Sequence, residues 1–483
     1  MTALRLIERN AHEVRVADRR VLFHVPSTAL FELDEVGSAV LDLFRQRGAV
    51  DEADIRHHFD GAYAPADIVE TLRDFIEIGV VADAGAKPGA ATPLHIAKFP
   101  LSTIVLNVTT GCNLGCTYCY KEDLTAPNAE TRMDFDTATR GIDLLLHESG
   151  ARARVNVVFF GGEPLSNMGL IRELVAYAEQ ACADADKTVD FSLTTNATLL
   201  DEDKIAFLDA HRFGLSVSID GPKAVHDRHR RSVGGKGTYD VVAAKTRMLL
   251  DRYRARPVGA RVTVTAGAID VGAIHAHLKY DIGFWEVGFA PVTSDASAIL
   301  KLNGPELAAF FENMKALGRA YKDAAIRGES TGFSNMHQLM ADLHLGNRKT
   351  LPCGAGVGLL AVDAGGGLNL CHRFTGSELE TFGDVETGIA KDRLAGFLER
   401  AADRSGSVCE TCRIRNLCSG GCYHESYVNY DDALSPTYLY CDLMRDWIDF
   451  GIQAYAEIAA VNPAFFSQHI EPRGAGQMAP DLV

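Results

Sequence analysis

The chain has no run of eighteen or more apolar residues, and its first residues do not read as a charged stretch followed by an apolar one. Neither membrane insertion nor export is indicated, so the cytoplasm is the expected compartment. Basic residues are the minority charge, 48 against 64 acidic, for a net charge of −16. That balance argues against a nucleic-acid partner, whose phosphates need a basic footprint. Acidic charge by itself identifies no partner. At 483 residues the chain is long enough for two to four domains. Cysteine is not lacking: there are eleven. In an exported chain they would suggest disulfides, but clustered spacing without a signal segment points to metal.

Three of the cysteines form Cys112-x3-Cys116-x2-Cys119, directly after the apolar, β-rich run Thr103 to Thr110. A strand thus delivers three thiolates to one short loop. Thiolate is the soft ligand that iron-sulfur clusters and zinc select. A structural zinc normally takes a fourth Cys or His nearby, whereas the neighbours here are Tyr118, Tyr120, Lys121 and Glu122. The arrangement resembles the radical S-adenosylmethionine (SAM) superfamily. That resemblance implies a 4Fe-4S cluster on Cys112, Cys116 and Cys119, with one iron left open for the amino and carboxylate groups of SAM.

Seven further cysteines lie between Cys353 and Cys441, as Cys353-x12-Gly366-x4-Cys371 and then Cys409-x2-Cys412-x5-Cys418-x3-Cys422-x18-Cys441. This spacing resembles the SPASM extension, which carries two auxiliary 4Fe-4S clusters in many radical SAM enzymes acting on peptides. The resemblance assigns Cys409, Cys412, Cys418 and Cys441 to the outer cluster, and Cys353, Cys371 and Cys422 to the one nearer the substrate. The second set has three cysteines, and the upstream segment His344 to Thr350 offers no fourth, so a non-Cys ligand or an open iron is expected. Zinc ribbons remain an alternative, because Cys409-x2-Cys412 also suits zinc. Cys182, in a helical pattern, reads as a small buried hydrophobe.

Residues 1–88 read as a winged-helix-like domain. Short strand-like runs at Leu6 to Glu8, Val14 to Val16, Val21 to Val25 and Ala29 to Leu33 precede helical stretches at Glu35 to Arg47, Asp51 to Phe59 and Pro65 to Ile78. Asp51 is a plausible N-cap. The order resembles the leader-peptide recognition element of ribosomal peptide-modifying systems, and a generic dimerisation winged helix is the other reading. The segment Ala84 to Thr92 has linker chemistry and marks the boundary, and the linker is placed at 89–100. From 101 to 300 strands and helices alternate, with strands at Ile104 to Val108, Val155 to Phe160, Val189 to Thr194, Leu215 to Ile219, Ala260 to Val264 and Trp285 to Phe289. The expected fold class is α/β, a partial (β/α)6 TIM-type radical SAM barrel between the N-terminal domain and a C-terminal SPASM domain. A helical connector is placed at 301–350, the SPASM domain at 351–445, and a C-terminal helix and tail at 446–483.

Function collects at the C-terminal ends of barrel strands. The second strand runs into Gly161-Gly162-Glu163-Pro164, whose glycines would let backbone approach a ligand closely. By resemblance this turn binds the amino group of SAM. Thr195, Asn196 and Ser218, after the third and fourth strands, resemble positions surrounding SAM, and Arg230 one approaching its carboxylate, which a guanidinium fork matches. Asp220 reads equally as a helix cap ahead of Gly221-Pro222 or as a catalytic group, and His226 to Arg231 as a solvated basic face or part of the SAM site.

The resemblance implies that electron transfer to SAM yields a 5′-deoxyadenosyl radical that takes hydrogen from an unactivated carbon, with the auxiliary clusters as electron sink. SPASM maturases commonly either oxidise Cys or Ser to formylglycine, or capture the substrate carbon with a Cys thiolate as a thioether. Sulfatase maturases carry an Asp after the cysteine at the place of Cys371, whereas this chain has Cys371-His372-Arg373-Phe374. That phrase, with Val25 to Phe31, is similar to the thioether-forming maturases of quinohemoprotein amine dehydrogenase. These join Cys sulfur to the methylene carbon of Asp or Glu in the small subunit. The implied partners are a small Cys-rich polypeptide with a leader segment and an external electron donor such as flavodoxin or ferredoxin. Asp220, at a strand end facing the barrel mouth, and His372 are the candidate bases. A non-catalytic iron-sulfur or zinc scaffold is the rival from another class.

Overall fold

The computed structural model describes residues 3–86, 96, 99–123, 130–293, 298–435 and 439–470. The expected linker at 89–100 and the tail beyond 470 lie largely outside them.

In the N-terminal unit, β1 (Ala3–Leu6) is paired antiparallel by β5 (Ala49–Asp51) and β6 (Val81–Asp83), while β2 (Ala11–Val16), β3 (Arg19–His24) and β4 (Ala29–Leu33) form a meander. Helices α1 (Glu35–Arg47), α2 (Glu52–His58) and α3 (Pro65–Glu77) fill the rest. The α1 helix starts where the Asp34 carboxylate accepts from the Gly37 N–H at 2.7 Å. Asp51 does stand at the N-cap position of α2, but its side chain makes no capping bond. The run expected as a strand at Leu6 to Glu8 instead ends β1 and enters a 3-10 turn at Glu8–Asn10.

Successive strand side chains point to opposite faces. Leu22 therefore packs with Val40, Leu41 and Phe44 of α1, whereas Val21 and Phe23, with Val14 and Val16 of β2, join the main core of the molecule. The central strand β3 is buried on both faces, so the unit that reads as separate in the sequence is seated on the remainder.

The larger sheet has the order β12-β11-β10-β9-β8-β7-β13-β14. Six parallel strands, β7 (Thr103–Thr109), β8 (Arg154–Gly161), β9 (Thr188–Thr195), β10 (Gly214–Ser218), β11 (Val258–Val264) and β12 (Glu286–Pro291), carry the βα repeats. Parallel neighbours need crossovers, which the intervening helices supply. Two strands fall outside the expected 101–300 span: β13 (Leu359–Val362) pairs parallel with β7, and β14 (Leu368–Asn369) antiparallel with β13. The cysteine-rich region is thereby built onto the edge of the barrel sheet. Helices Gly304–Ile326 and Ser334–His344 lie between them in the chain. The last long helix, Cys441–Val461, begins on a cysteine and runs across the boundary expected at 445. Among the described residues no helix is long and apolar enough to cross a membrane.

Candidate functional site

β7 ends at Thr109, and the chain turns into the three-cysteine loop. A second segment runs beside that loop: Gly115 N–H donates to Arg231 O at 2.8 Å, Thr117 N–H to His229 O at 3.1 Å, and Thr117 Oγ1 bonds His229 Nδ1 at 2.8 Å. Cys119 N–H closes a turn on Cys116 O at 3.0 Å. The Cys112 sulfur accepts from Leu114 N–H at 3.4 Å and from Asn196 Nδ2 at 3.8 Å. Burial pushes the Cys116 thiol up to about 11, with Arg230 opposing and the Cys119 and Cys112 charges adding to the rise. The three sulfurs thus feel one another.

The Gly161 to Pro164 turn is sewn to this loop. Gly162 N–H donates to Thr109 O at 2.8 Å, and Glu163 N–H to Gly111 O at 3.0 Å. Gly161 has φ +145°, and a Cβ there would lie 2.2 Å from Thr109 O; at Gly162 it would lie 2.0 Å from Gly111 O. Backbone does approach these glycines closely, but it is the protein's own, on the way to Cys112. The Glu163 carboxylate is buried and accepts from Thr195 Oγ1 at 2.7 Å, Asn196 N–H at 2.8 Å and Leu165 N–H at 3.1 Å. Burial raises its pKa against those bonds. Asn196 in turn reaches Asn113 Oδ1 at 3.0 Å. The side chains of Glu163, Thr195 and Asn196 therefore brace the cysteine loop, and what the turn leaves for a ligand is backbone. Ser218 closes β10 half-buried.

Asp220, just past the end of β10, is 3% exposed. Tyr118 Oη donates to its Oδ2 at 2.5 Å, Thr263 N–H to its Oδ1 at 3.2 Å, and Arg230 Nη1 stands 3.9 Å from Oδ1 while donating to Tyr118 Oη at 2.7 Å. It is not a helix cap, since the N-cap of Lys223–His229 is Pro222. Burial raises the Asp220 pKa, while Arg230, Tyr118 and Thr263 oppose the rise. Of the two readings for His226 to Arg231, the solvated face does not hold for three members: His226, His229 and Arg230 are buried. Arg230 Nε has no hydrogen-bond partner, which leaves a donor for an anion from this wall.

The remaining cysteines, Cys182 aside, form two groups. Cys409, Cys412, Cys418 and Cys441 line one cavity with Ser419 and Gly420. Burial lifts the Cys418 thiol to about 11, helped by Cys409, Cys412 and Cys441. Cys353, Cys371 and Cys422 form the other: burial lifts Cys371 to about 12, with Cys422 and Cys353 adding to it. Cys182 is buried, as expected. Among the described residues no three His, Cys, Asp or Glu side chains converge on a point that one metal ion could occupy. Four thiols spread around a cavity fit a multi-iron cluster, whose ligands stand further apart than those of tetrahedral zinc.

Between the first loop and the Cys353 group lies His372, its ring 4.1 Å from that of Phe160 at the end of β8 and 6.4 Å from that of Tyr120. Burial lowers its pKa to about 3, and Arg373 and Lys121 add to the shift, so it is held neutral. Sequence reading missed Tyr118, His229, Tyr120, Arg373 and His424. The first four lie within or just beyond motifs already recognised, but their partners are distant in the chain.

The family model described as the radical SAM superfamily matches residues 106–266. The serine-type anaerobic sulfatase-maturating enzyme of Klebsiella aerogenes is 25% identical over 350 residues, covering 70% of this chain and 81% of that protein. The cysteine-type enzyme of Clostridium perfringens (strain ATCC 13124) is 23% identical over 377 residues, covering 74% and 98%. In fold, the chain is similar to native anSMEcpe with bound AdoMet (TM-score 0.64, 21% identity, 75% of this chain and 100% of that one). It is also similar to Streptococcus suis SuiB bound to precursor peptide SuiA (TM-score 0.53, 14% identity, 91% and 99%). Residues 106–266, a third of the chain, thus match the radical SAM superfamily, and the thiol groups and the parallel sheet agree with a radical SAM enzyme of mixed α/β fold that uses S-adenosylmethionine and 4Fe-4S clusters.

Proposed function

We propose that this enzyme is an oxidative peptide maturase that forms thioether bonds between Cys sulfur and the side-chain methylene carbon of Asp or Glu. The small subunit of quinohemoprotein amine dehydrogenase is the substrate that the sequence likeness suggests. The observation that carries the reading is the wall between the first cysteine loop and the Cys353 group. Where sulfatase maturases resemble one another in an Asp after this cysteine, His372 and Arg373 stand here, with the Arg373 guanidinium 5.0 Å above the Tyr120 ring. A neutral imidazole and a cation suit a substrate that brings its own carboxylate and thiol.

SAM and its cluster supply hydrogen abstraction, and clusters on the later cysteines an electron sink. Cys112, Cys116 and Cys119 would hold the first cluster, Cys409, Cys412, Cys418 and Cys441 the outer one, and Cys353, Cys371 and Cys422 the inner one. SAM would lie against the backbone of Gly161 to Pro164, near Ser218, with its carboxylate toward Arg230. Glu163, Thr195 and Asn196 then position that site by holding its loop. His372 is the proton acceptor that the geometry favours over Asp220, whose carboxylate oxygens are both engaged.

A peptide also needs a place to be recognised. β4 has β3 on one side and no strand on the other among the described residues, and Phe31 on it is 38% exposed. An open edge strand accepts an extended segment by backbone pairing, which supports the leader-recognition reading of residues 1–88. Streptococcus suis SuiB, similar in fold over 91% of this chain, binds precursor peptide SuiA. The names of the sulfatase-maturating relatives favour the second reading, formylglycine formation on a Cys or Ser.

Anaerobic incubation with SAM, dithionite and a small Cys-rich protein encoded nearby, followed by intact mass and thiol alkylation, separates the two. Loss of two hydrogens per alkylation-resistant Cys establishes the thioether. Loss of sulfur, or of hydrogen with every thiol still reactive, moves the reading to formylglycine.

A further inference from the structure

Three segments far apart in sequence bring polar side chains to one place. Tyr120 follows Cys119, Arg373 follows Cys371 by two residues, and His424 follows Cys422 by two. The Tyr120 ring lies under the Arg373 guanidinium at 5.0 Å and meets the His424 ring edge-on at 5.7 Å. Phe374 packs edge-on against His424 at 5.4 Å. Tyr120 Oη, His424 Nδ1 and Arg373 Nε are all buried without a hydrogen-bond partner, and His424 as a whole is 2% exposed.

Buried polar atoms are nearly always satisfied, so three unsatisfied ones from separate segments in one spot need an explanation. Charge says what is missing. Arg373 spends one donor on a neutral hydroxyl, Nη2 to Thr293 Oγ1 at 2.7 Å, and no carboxylate of the described residues pairs with it. Glu425, one residue beyond His424, feels the Arg373 charge without pairing with it, and accepts from Tyr440 Oη at 3.2 Å. What fits is a planar anion whose two oxygens take the guanidinium fork and the phenol.

Two carboxylates could come here, one on the peptide and one on SAM. Arg230 offers its own unpartnered Nε beside the first cysteine loop, on the wall that carries Tyr118 and Asp220. That leaves Arg373, which enters from the cysteine-rich region, for the peptide. We propose that Tyr120, Arg373 and His424 form a subsite that grips the carboxylate of an Asp or Glu side chain in the substrate, presenting its methylene carbons toward the end of β8. The inference rests on the reading of the enzyme as a peptide maturase and names the residue class that it engages.

The test is equilibrium binding, without turnover, to the anaerobically reconstituted full chain. The probes are N-acetyl-glutamate N-methylamide, its glutamine counterpart, and SAM. The native protein should prefer the glutamate probe by about tenfold, the scale of one charge-assisted contact. Arg373→Gln should abolish the preference and leave SAM affinity unchanged. Arg373→Lys should keep part of it, and Tyr120→Phe, which removes one oxygen and no bulk, should reduce it with iron content intact. Equal binding of both probes, no binding of either, or a preference that survives Arg373→Gln overturns the proposal. So does a loss of SAM affinity in Arg373→Gln, which would give the carboxylate to SAM. Because the preference is read without product, a glutamate preference with no crosslinked peptide would sink the thioether reading alone. Crosslinking without the preference would sink the subsite alone.

Discussion

Tyr118 Oη lies 2.5 Å from Asp220 Oδ2 and accepts from Arg230 at 2.7 Å, so a tyrosine inside the cysteine loop ties the first cluster site to the ends of β10 and β11. Asp220 is thereby an anchor for Arg230 more than a free base. Asp220→Ala would leave a buried guanidinium without its carboxylate, a loss of roughly 3–5 kcal/mol by analogy with broken buried pairs. SAM cleavage and peptide modification should therefore fall together. The check is parallel assay of 5′-deoxyadenosine and product. Cleavage near the native rate with product abolished would restore Asp220 as the base. Tyr118→Phe, which keeps the ion pair, should cost less, about 1–3 kcal/mol for the unsatisfied groups.

Gly162→Ala places a methyl against Gly111 O, where a Cβ would stand 2.0 Å away. Neither backbone can yield without moving Cys112. The variant should lose the iron of the first cluster and its SAM-dependent spectral change, while the iron attributable to the later cysteines stays. Native iron content with only weaker SAM binding would mean that the glycine serves the ligand and not the loop.

The strand runs and the three-cysteine loop were legible because each depends on local spacing. Chain-local reasoning fails where the partner is remote. Asp220 reads as a strand-end base because nothing nearby in sequence reveals Tyr118, 102 residues away. The crowding at glycines 161–162 was not legible because the backbone beside them belongs to residues 109–111. β13 escaped notice because a four-residue apolar run has no period of its own, and only its pairing with β7 makes it a barrel strand.

Glu13, on β2, accepts from Arg20 and Arg45, and these hold its carboxyl down to about 2 from an ordinary 4.5, against the opposing effect of burial. A depressed folded pKa gives stability that is present above the unfolded value and is lost as pH falls toward the folded one. Glu13→Gln should therefore destabilise the chain at neutral pH by about 1 kcal/mol after solvent screening, with the difference shrinking from pH 4.5 toward pH 2. Thermal unfolding of the metal-free chain across that range measures it. A difference that persists at the acid end would assign the effect to packing.

The loop between Cys412 and Cys418 carries the contacts that seat the N-terminal unit. Arg415 Nη1 donates to Arg9 O at 2.7 Å, Asn416 Nδ2 to Val25 O at 2.9 Å and Pro26 O at 3.1 Å, and Arg413 Nη2 pairs at 2.8 Å with Asp449, which also holds His12 at 2.8 Å. Two thiols of the outer cavity bracket these three side chains, so whatever orders the thiols orders the seat. Removing the metal by anaerobic chelation should raise hydrogen exchange at residues 9–10 and 24–26, and Asn416→Ala should do the same with metal bound. Exchange unchanged by chelation would mean that the seat is held by the apolar faces of β2 and β3 alone.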